Sequence, residues 1–196
     1  MTVRVKICGI TRLEDALAAE AAGADAVGFV FVPGTKRFVT PDTALEVARG
    51  LGPFIARVGV FRDATLETML ETVQRVGLSA VQVHKADSTL IAGLEAHVPV
   101  ISAVSHSDAL PPMGTLHVDA TEPGSGVAFD WDALDTRSLE GRRWMLAGGL
   151  TPENVAEAVR QLQPWGVDVS SGVERAPGIK DAGKIEAFVR AARNLE

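Results

Sequence analysis

The chain has 196 residues, 46% of them hydrophobic, so it can bury the core of a single domain, which we expect to span residues 1–196. Its net charge of −6, with Lys and Arg scattered along the chain, excludes a broad basic surface and therefore nucleic acid as a partner. One cysteine excludes an internal disulfide, and because there is neither a signal-peptide pattern nor an apolar run of roughly 20 residues, we expect a cytoplasmic protein without membrane contact.

Short β-branched runs alternate with amphipathic stretches along the chain, which is the rhythm of βαβ units. Eight runs are predicted as strands: residues 3–7, 25–32, 54–61, 79–84, 98–104, 115–119, 144–147 and 167–170. Eight strands with helices between them predict an α/β fold, a single-domain (β/α)₈ TIM barrel. Because the chain is at the short end for such a barrel, its loops must be short.

Helix starts and stops separate the predicted strands. A capping box is predicted for the first helix, with Thr11 at the N-cap and Glu14 three residues later, and Gly23 is its predicted left-handed stop. Thr40 and Thr151 each precede a proline, which predicts an N-cap hydroxyl followed by a first-turn proline.

Polar residues alternate with apolar ones in several strands. In a parallel barrel the outward strand face packs under helices and is apolar, so the alternating polar side chains must point inward. Those predicted to do so are Lys6, Cys8, Arg57, Gln82, His84, Asp119, Asp168 and Ser170. Because an unpaired buried charge costs about 3–5 kcal/mol, we expect Asp168 to pair with Lys6 or Arg57, in a functional site or in a purely structural salt bridge.

Glycine-containing segments follow the last two predicted strands. Gly148-Gly149 precedes a predicted helix start, and Ser171-Gly172-Val173 follows the eighth strand. Glycines let the backbone approach an anion closely, and first-turn N–H groups point at it. Since the loops after strands seven and eight hold phosphate in many barrels, these two segments predict a phosphate site, whereas either one alone would also fit a simple tight turn.

Three side chains are candidates for chemistry at the catalytic mouth. Cys8 ends the first strand; it is either a small buried hydrophobe or a base that needs a nearby cation, for which Lys6 is a candidate. Asp130 lies between two aromatic residues, which suits a protonated general acid, although an N-cap role fits equally well. Arg37 would hold a substrate carboxylate in a bidentate fork, or be a solvated loop charge.

Seven motifs follow one another over nearly the whole chain: Lys6-Ile-Cys-Gly-Ile-Thr11, Gly28-Phe-Val-Phe31, Arg57-Val-Gly-Val-Phe61, Val81-Gln-Val-His84, Phe129-Asp-Trp131, Leu146-Ala-Gly-Gly-Leu150 and Val167-Asp-Val-Ser-Ser-Gly-Val-Glu174. Together they resemble the phosphoribosylanthranilate isomerase family of tryptophan biosynthesis. The resemblance implies a cofactor-free and metal-free Amadori rearrangement of N-(5′-phosphoribosyl)anthranilate to 1-(2-carboxyphenylamino)-1-deoxyribulose 5-phosphate, performed by a monomer or homodimer.

The resemblance also implies residue roles. Cys8 is the general base and Asp130 the general acid, while Arg37, Gln82 and Asp168 bind the substrate. The phosphate site comprises Gly148, Gly149, Ser171, Gly172 and Val173.

The chain departs from the family pattern in three places. Lys85 stands where the family usually has glycine, and Val127-Ala128 replaces a basic residue and a threonine-like one. The segment 102–114 is short enough to leave the fifth βα unit without a full helix.

Two rival readings remain open on the residues. One is another phosphate-gripping barrel enzyme, either a histidine-pathway isomerase, which uses two aspartates, or a thiamin-phosphate synthase, which needs Mg²⁺. The other is a non-catalytic phosphometabolite-binding protein, which would have no turnover to lose when Cys8 or Asp130 is replaced.

Overall fold

The computed structural model describes residues 2–105, 114–119, 134 and 136–193. Within them, eight parallel strands close into a barrel in which each strand pairs with the next along the chain, and β8 pairs with β1. The strands are β1 (Arg4–Cys8), β2 (Ala26–Val30), β3 (Ala56–Arg62), β4 (Ala80–His84), β5 (Val100–Ser105), β6 (Thr115–Asp119), β7 (Trp144–Ala147) and β8 (Gly166–Val169). The predicted TIM-barrel fold is confirmed.

Helices cover the outside of this barrel. They are α1 (Leu13–Ala21), α2 (Pro41–Arg49), α3 (Leu66–Val76), α4 (Ser88–Glu95), α5 (Val155–Leu162) and α6 (Ala182–Arg193). After β8, a 3₁₀ turn (Ser171–Val173) leads into an antiparallel hairpin of β9 (Glu174–Ala176) and β10 (Ile179–Lys180). None of the described helices has the length and hydropathy needed to cross a membrane.

Two sequence expectations fall outside the described residues. Val127-Ala128 lies there, and so does most of the segment that joins β5 to β6, in which we expect no full helix. Both expectations stay predictions, as does the single domain over residues 1–196.

Local helix signals were partly correct. The Thr40 hydroxyl accepts a hydrogen bond from the Thr43 amide at 3.2 Å, which confirms the predicted N-cap of α2. Gly23 has a φ of +86°, which confirms the left-handed stop after α1. The Thr151 hydroxyl accepts from the Glu153 amide at 3.3 Å as an N-cap would, but α5 begins only at Val155, so Thr151 is not at its N-cap position.

The predicted capping box of α1 is also wrong. Arg12 occupies the N-cap position without a side-chain cap, and the Thr11 hydroxyl instead donates to the carbonyl of Gly178 at 2.6 Å. Gly178 lies in the hairpin after β8, so a tertiary hydrogen bond replaces the local one that the sequence pattern favours.

Strand register decides which side chains point inward. Lys6 aligns with Asp168 and Cys8 with Gly28, so these residues face the barrel interior as predicted. The inward prediction for Arg57 is wrong: it aligns with Val27, which belongs to the buried layer under the helices. Its guanidinium donates to the carbonyls of Leu51 and Gly52 at 3.3 and 3.2 Å.

The error at Arg57 has a physical cause. Both faces of β3 are apolar, because Val60 aligns with the inward-facing Gln82 while Phe61 packs in the core under the helices. The alternation of polar and apolar residues therefore does not reveal the phase of this strand.

Lys85, which stands where the family usually has glycine, has a backbone conformation typical of glycine. Its φ is +54°, a left-handed conformation that glycine adopts without steric cost, and its side chain is exposed. The lysine side chain thus occupies a position where the backbone favours glycine.

We expect Lys85→Gly to raise the free energy of unfolding by about 1 kcal/mol, because it relieves the contact of Cβ with the backbone. This corresponds to a rise of about 2–4 °C in Tm. Lys85→Ala is the control, since it removes the same side chain but keeps Cβ. An equal rise in Tm for both variants would show that strain is not the cause.

Candidate active site

The barrel interior contains a buried ion pair. Lys6 Nζ contacts Asp168 Oδ2 at 2.9 Å and also donates to Gln82 Oε1 at 3.0 Å. Of the two predicted partners for Asp168, Lys6 is confirmed. The side chains of Lys6 and Asp168 are 1% and 7% exposed, so water does not screen their attraction.

His117 joins this pair from β6. Its Nε2 lies 2.7 Å from the same Oδ2 of Asp168 that binds Lys6. The sequence analysis missed His117, although a signal was present: it stands two residues before Asp119, and residues two apart in a strand share a face. Within the described part of the chain, His117 Nδ1 and Asp168 Oδ1 are buried without a hydrogen-bond partner.

The mutual attraction of Lys6 and Asp168 outweighs the cost of burial. Burial by itself would lower the pKa of Lys6 and raise that of Asp168. The charge of each partner outweighs this effect of burial, so the pKa of Lys6 is raised and the pKa of Asp168 is lowered. His117 also contributes to the lower pKa of Asp168. Both groups are therefore charged at neutral pH.

Cys8 lies one inward position beyond Lys6, at the end of β1. A Cβ atom on Gly28 would come within 2.8 Å of its Sγ, so the glycine in β2 provides space for the thiol. Burial raises the pKa of Cys8, while the charges of Lys6 and Lys180 oppose that shift and Asp168 reinforces it. The thiol is thus protonated before reaction, with two cations near it.

Arg37 takes part in a second ion-pair cluster at the barrel mouth. Its Nε and Nη2 donate to the two carboxylate oxygens of Glu174 at 2.7 and 2.8 Å, and Lys180 Nζ donates to Glu174 Oε1 at 3.0 Å. The alternative of a solvated loop charge is therefore wrong for Arg37. The guanidinium fork is present, but its partner in this structure is a protein carboxylate.

Glu174 and Lys180 were not predicted as site residues. Glu174 ends a motif that carries the family resemblance, but nothing local indicates its partner 137 residues earlier. Lys180 lies in the short strand β10 of the hairpin, which has no clear periodicity from which a buried ammonium could be predicted.

The two glycine segments lie against each other. A Cβ atom on Gly172 would collide with the carbonyl oxygen of Leu150, so the turn after β8 packs directly on the loop after β7. Gly148 and Gly149 have φ values of +93° and +64°. Ser171 and Val173 complete the 3₁₀ turn around Gly172. Phosphate binding by these residues stays a prediction.

The loop after β8 is also tied to the end of β1. The Ser170 hydroxyl donates to the carbonyl of Cys8 at 3.1 Å. Cys8 and the turn at Gly172 thus lie at the same end of the barrel. Asp130 lies outside the described residues, so its convergence with Cys8 stays a prediction.

The chain matches the family model of N-(5′-phosphoribosyl)anthranilate isomerase over residues 5–191. It belongs to this family. An N-(5′-phosphoribosyl)anthranilate isomerase from Pelobacter propionicus is 44% identical over 201 residues, which cover 97% of this chain and 96% of the relative.

Solved isomerase structures share the fold. Phosphoribosyl anthranilate isomerase from Thermotoga maritima has a TM-score of 0.90 and 40% identity, covering 98% of this chain and 100% of that one. Another structure of phosphoribosyl anthranilate isomerase, in complex with reduced 1-(o-carboxyphenylamino)-1-deoxyribulose 5-phosphate, has a TM-score of 0.88 and 39% identity, with coverage of 98% and 100%. The resemblance inferred from the motifs is confirmed.

We expect Asp168→Asn to lower the free energy of unfolding by about 3–5 kcal/mol, because it leaves the buried ammonium of Lys6 without a countercharge. The double variant Lys6→Met/Asp168→Asn should lose less, since it removes both charges. Urea unfolding of Asp168→Asn, Lys6→Met and the double variant measures the coupling free energy between the two side chains. Additive losses would contradict a direct interaction between the two side chains.

Proposed function

We propose that Cys8 and Asp130 are the base and acid with which this chain rearranges N-(5′-phosphoribosyl)anthranilate to 1-(2-carboxyphenylamino)-1-deoxyribulose 5-phosphate. As a member of its family, the chain is an aldose–ketose isomerase of tryptophan biosynthesis. The observation that carries the assignment of the base is the position of Cys8, buried at the end of β1 between Lys6 and the cluster of Arg37, Glu174 and Lys180.

The rearrangement needs two proton transfers, one at the ring oxygen and one at C2, which are both bonded to C1. Asp130 donates a proton to the ribose ring oxygen as the bond from C1 to that oxygen breaks, and the nitrogen lone pair forms the C=N bond, which opens the furanose to a protonated imine. The Cys8 thiolate then removes the proton from C2, the electron pair of that C–H bond forms the C1–C2 double bond, and the C=N electrons return to nitrogen, which gives the enolamine. Tautomerisation of the enolamine yields the ketone product.

Lys6 supports the basic form of Cys8. A thiolate in a buried site is disfavoured by desolvation, and a nearby ammonium offsets part of that cost. Lys6 remains charged because Asp168 neutralises it from the other side. The ion pair thus supplies a fixed positive charge close to the thiol without an unpaired charge in the barrel.

The remaining predicted residues bind the two ends of the substrate and its sugar. Arg37 binds the anthranilate carboxylate, and the glycine segments after β7 and β8 bind the phosphate. Gln82 and Asp168 lie one layer below Cys8 in the barrel and are proposed to bind sugar hydroxyls. The carboxylate oxygen Asp168 Oδ1, which has no partner within the described residues, is suited to accept from a hydroxyl.

Three expectations complete the proposal. We propose that the reaction needs neither cofactor nor metal, so EDTA leaves activity unchanged. We also propose a cytoplasmic location, because a biosynthetic enzyme with one free cysteine fits a reducing compartment. The state of assembly, monomer or homodimer, stays a prediction that sedimentation of the purified chain decides.

We expect Cys8→Ala and Asp130→Asn each to lower kcat by about 10²–10⁴-fold, since each removes one proton transfer. The fluorescence of freshly prepared phosphoribosylanthranilate measures turnover. The affinity of both variants for a reduced product analogue should remain close to that of the wild type. Unchanged turnover in both variants would exclude these catalytic roles, and a wild type that binds the analogue without turnover would be a phosphometabolite-binding protein.

The pH profile should report the ionisation of Cys8. Because the base must be a thiolate and burial raises the pKa of the thiol, we expect kcat/KM to rise with pH through a value above that of an ordinary thiol. The ultraviolet absorbance of the thiolate, taken as wild type minus Cys8→Ala, should rise over the same range.

The absorbance change can be assigned to Cys8, because the chain has one cysteine and no tyrosine. An activity limb that does not coincide with the absorbance change would assign the base to another group.

A further inference from the structure

Glu174 has its carboxylate surrounded by donors. Oε1 accepts from Arg37 Nε at 2.7 Å, Lys180 Nζ at 3.0 Å and the Gly178 amide at 3.3 Å, while Oε2 accepts from Arg37 Nη2 at 2.8 Å. The side chain is 7% exposed. With four donors from three residues and little exposure, Glu174 has a defined orientation.

The contact with Glu174 uses only one edge of the Arg37 guanidinium. A guanidinium has five N–H donors in a rigid fork, and Glu174 occupies the edge formed by Nε and Nη2. Nη1 carries no hydrogen bond to the described residues, and Nη2 has a second N–H on the side that faces Nη1. The edge formed by Nη1 and Nη2 has the geometry to bind a second carboxylate by two parallel hydrogen bonds.

The stem of Arg37 is positioned against the catalytic strand. A Cβ atom on Gly9 would collide with Arg37 Cδ, so the arginine lies across the residue that directly follows Cys8. Glycine at this position therefore lets Arg37 reach the mouth of the barrel. Its side chain is 28% exposed, so Arg37 is partly accessible to a ligand.

The charges of the cluster leave room for one more anion. Arg37 and Lys180 are two cations that share the single carboxylate of Glu174. Lys180 is fully enclosed, and its ammonium also donates to the Ser170 carbonyl at 3.0 Å. The partly exposed positive charge of the cluster is thus the guanidinium of Arg37.

We propose that Glu174 is a positioning residue for substrate specificity, which holds Arg37 by one edge of its guanidinium so that the other edge receives the carboxylate on the aromatic ring of the substrate. This inference rests on the proposed function, in which Arg37 binds that carboxylate. Glu174 itself does not touch the substrate. It fixes the fork before binding, so that less conformational freedom is lost when the carboxylate arrives.

A pair of substrates separates this role from a general structural one. N-(5′-phosphoribosyl)aniline lacks only the carboxylate and keeps the amine and sugar that rearrange, so we expect it to be a substrate that reports on every part of the site except carboxylate recognition. For Glu174→Gln, we expect the KM of phosphoribosylanthranilate to rise about tenfold, with kcat changed by less than about twofold. The KM of the aniline substrate should not change.

The physical reason lies in the two oxygens of Glu174. Glutamine keeps one acceptor for Arg37 but presents an amide N–H where the second acceptor was, so the two-bond contact is lost and the guanidinium can rotate. Glu174→Asp retains the charge on a shorter stem and should give an intermediate, equally selective rise. This second variant also keeps the test valid where the glutamine variant does not fold.

Asp25→Asn is the matched control. Asp25 accepts from Arg4 Nη1 and Arg193 Nη2, both at 2.7 Å, and lies directly before β2, at the end of the barrel opposite to Cys8. Its replacement also breaks contacts between a carboxylate and guanidinium groups. Because these contacts are remote from the site, the KM values of both substrates should stay at the wild-type level.

Each outcome decides the inference. A KM rise confined to the carboxylated substrate supports it. Equal changes for both substrates, no change, or a fall in the KM of phosphoribosylanthranilate overturns it, the last by showing that Glu174 competes with the substrate for Arg37. A wild type inactive on phosphoribosylanthranilate would instead refute the proposed function.

Discussion

One buried ion pair joins the strands on which the site is built. Lys6 on β1 and Asp168 on β8 meet where the barrel closes, and the same two side chains also contact Gln82 on β4 and His117 on β6. Charges in such an interior are tolerable only when each has a partner at close range. The chain thereby places a permanent ammonium beside Cys8, and Asp168 offsets its cost in desolvation.

A second ion-pair cluster lies at the mouth of the barrel, and there the positive charges outnumber the negative ones. In the interior, a lysine and an aspartate neutralise each other, whereas at the mouth two cations share one carboxylate. The interior pair is therefore structural and electrostatic support for the thiol. In the proposed function, the cluster of Arg37, Glu174 and Lys180 keeps one cation in excess to bind the anionic substrate.

Much of the fold could be predicted from local patterns. All eight strands were located to within a few residues, because β-branched runs bounded by helix signals are determined by nearby residues. Predictions that depended on a partner were less successful. The Thr11 hydroxyl was assigned to its own helix but binds the hairpin after β8, and Arg57 was assigned to the wrong face because both faces of β3 are apolar.

The sequence by itself determined the family, the succession of strands and helices, and the position of Cys8 at the end of a strand, because each is encoded in short motifs or in a period of a few residues. Only the tertiary structure decided which charge pairs with which. Lys6 and Asp168 are 162 residues apart, and Arg37 and Glu174 are 137 apart. The energy of such pairs depends on distance and burial, and both are set only when the strands close into a barrel.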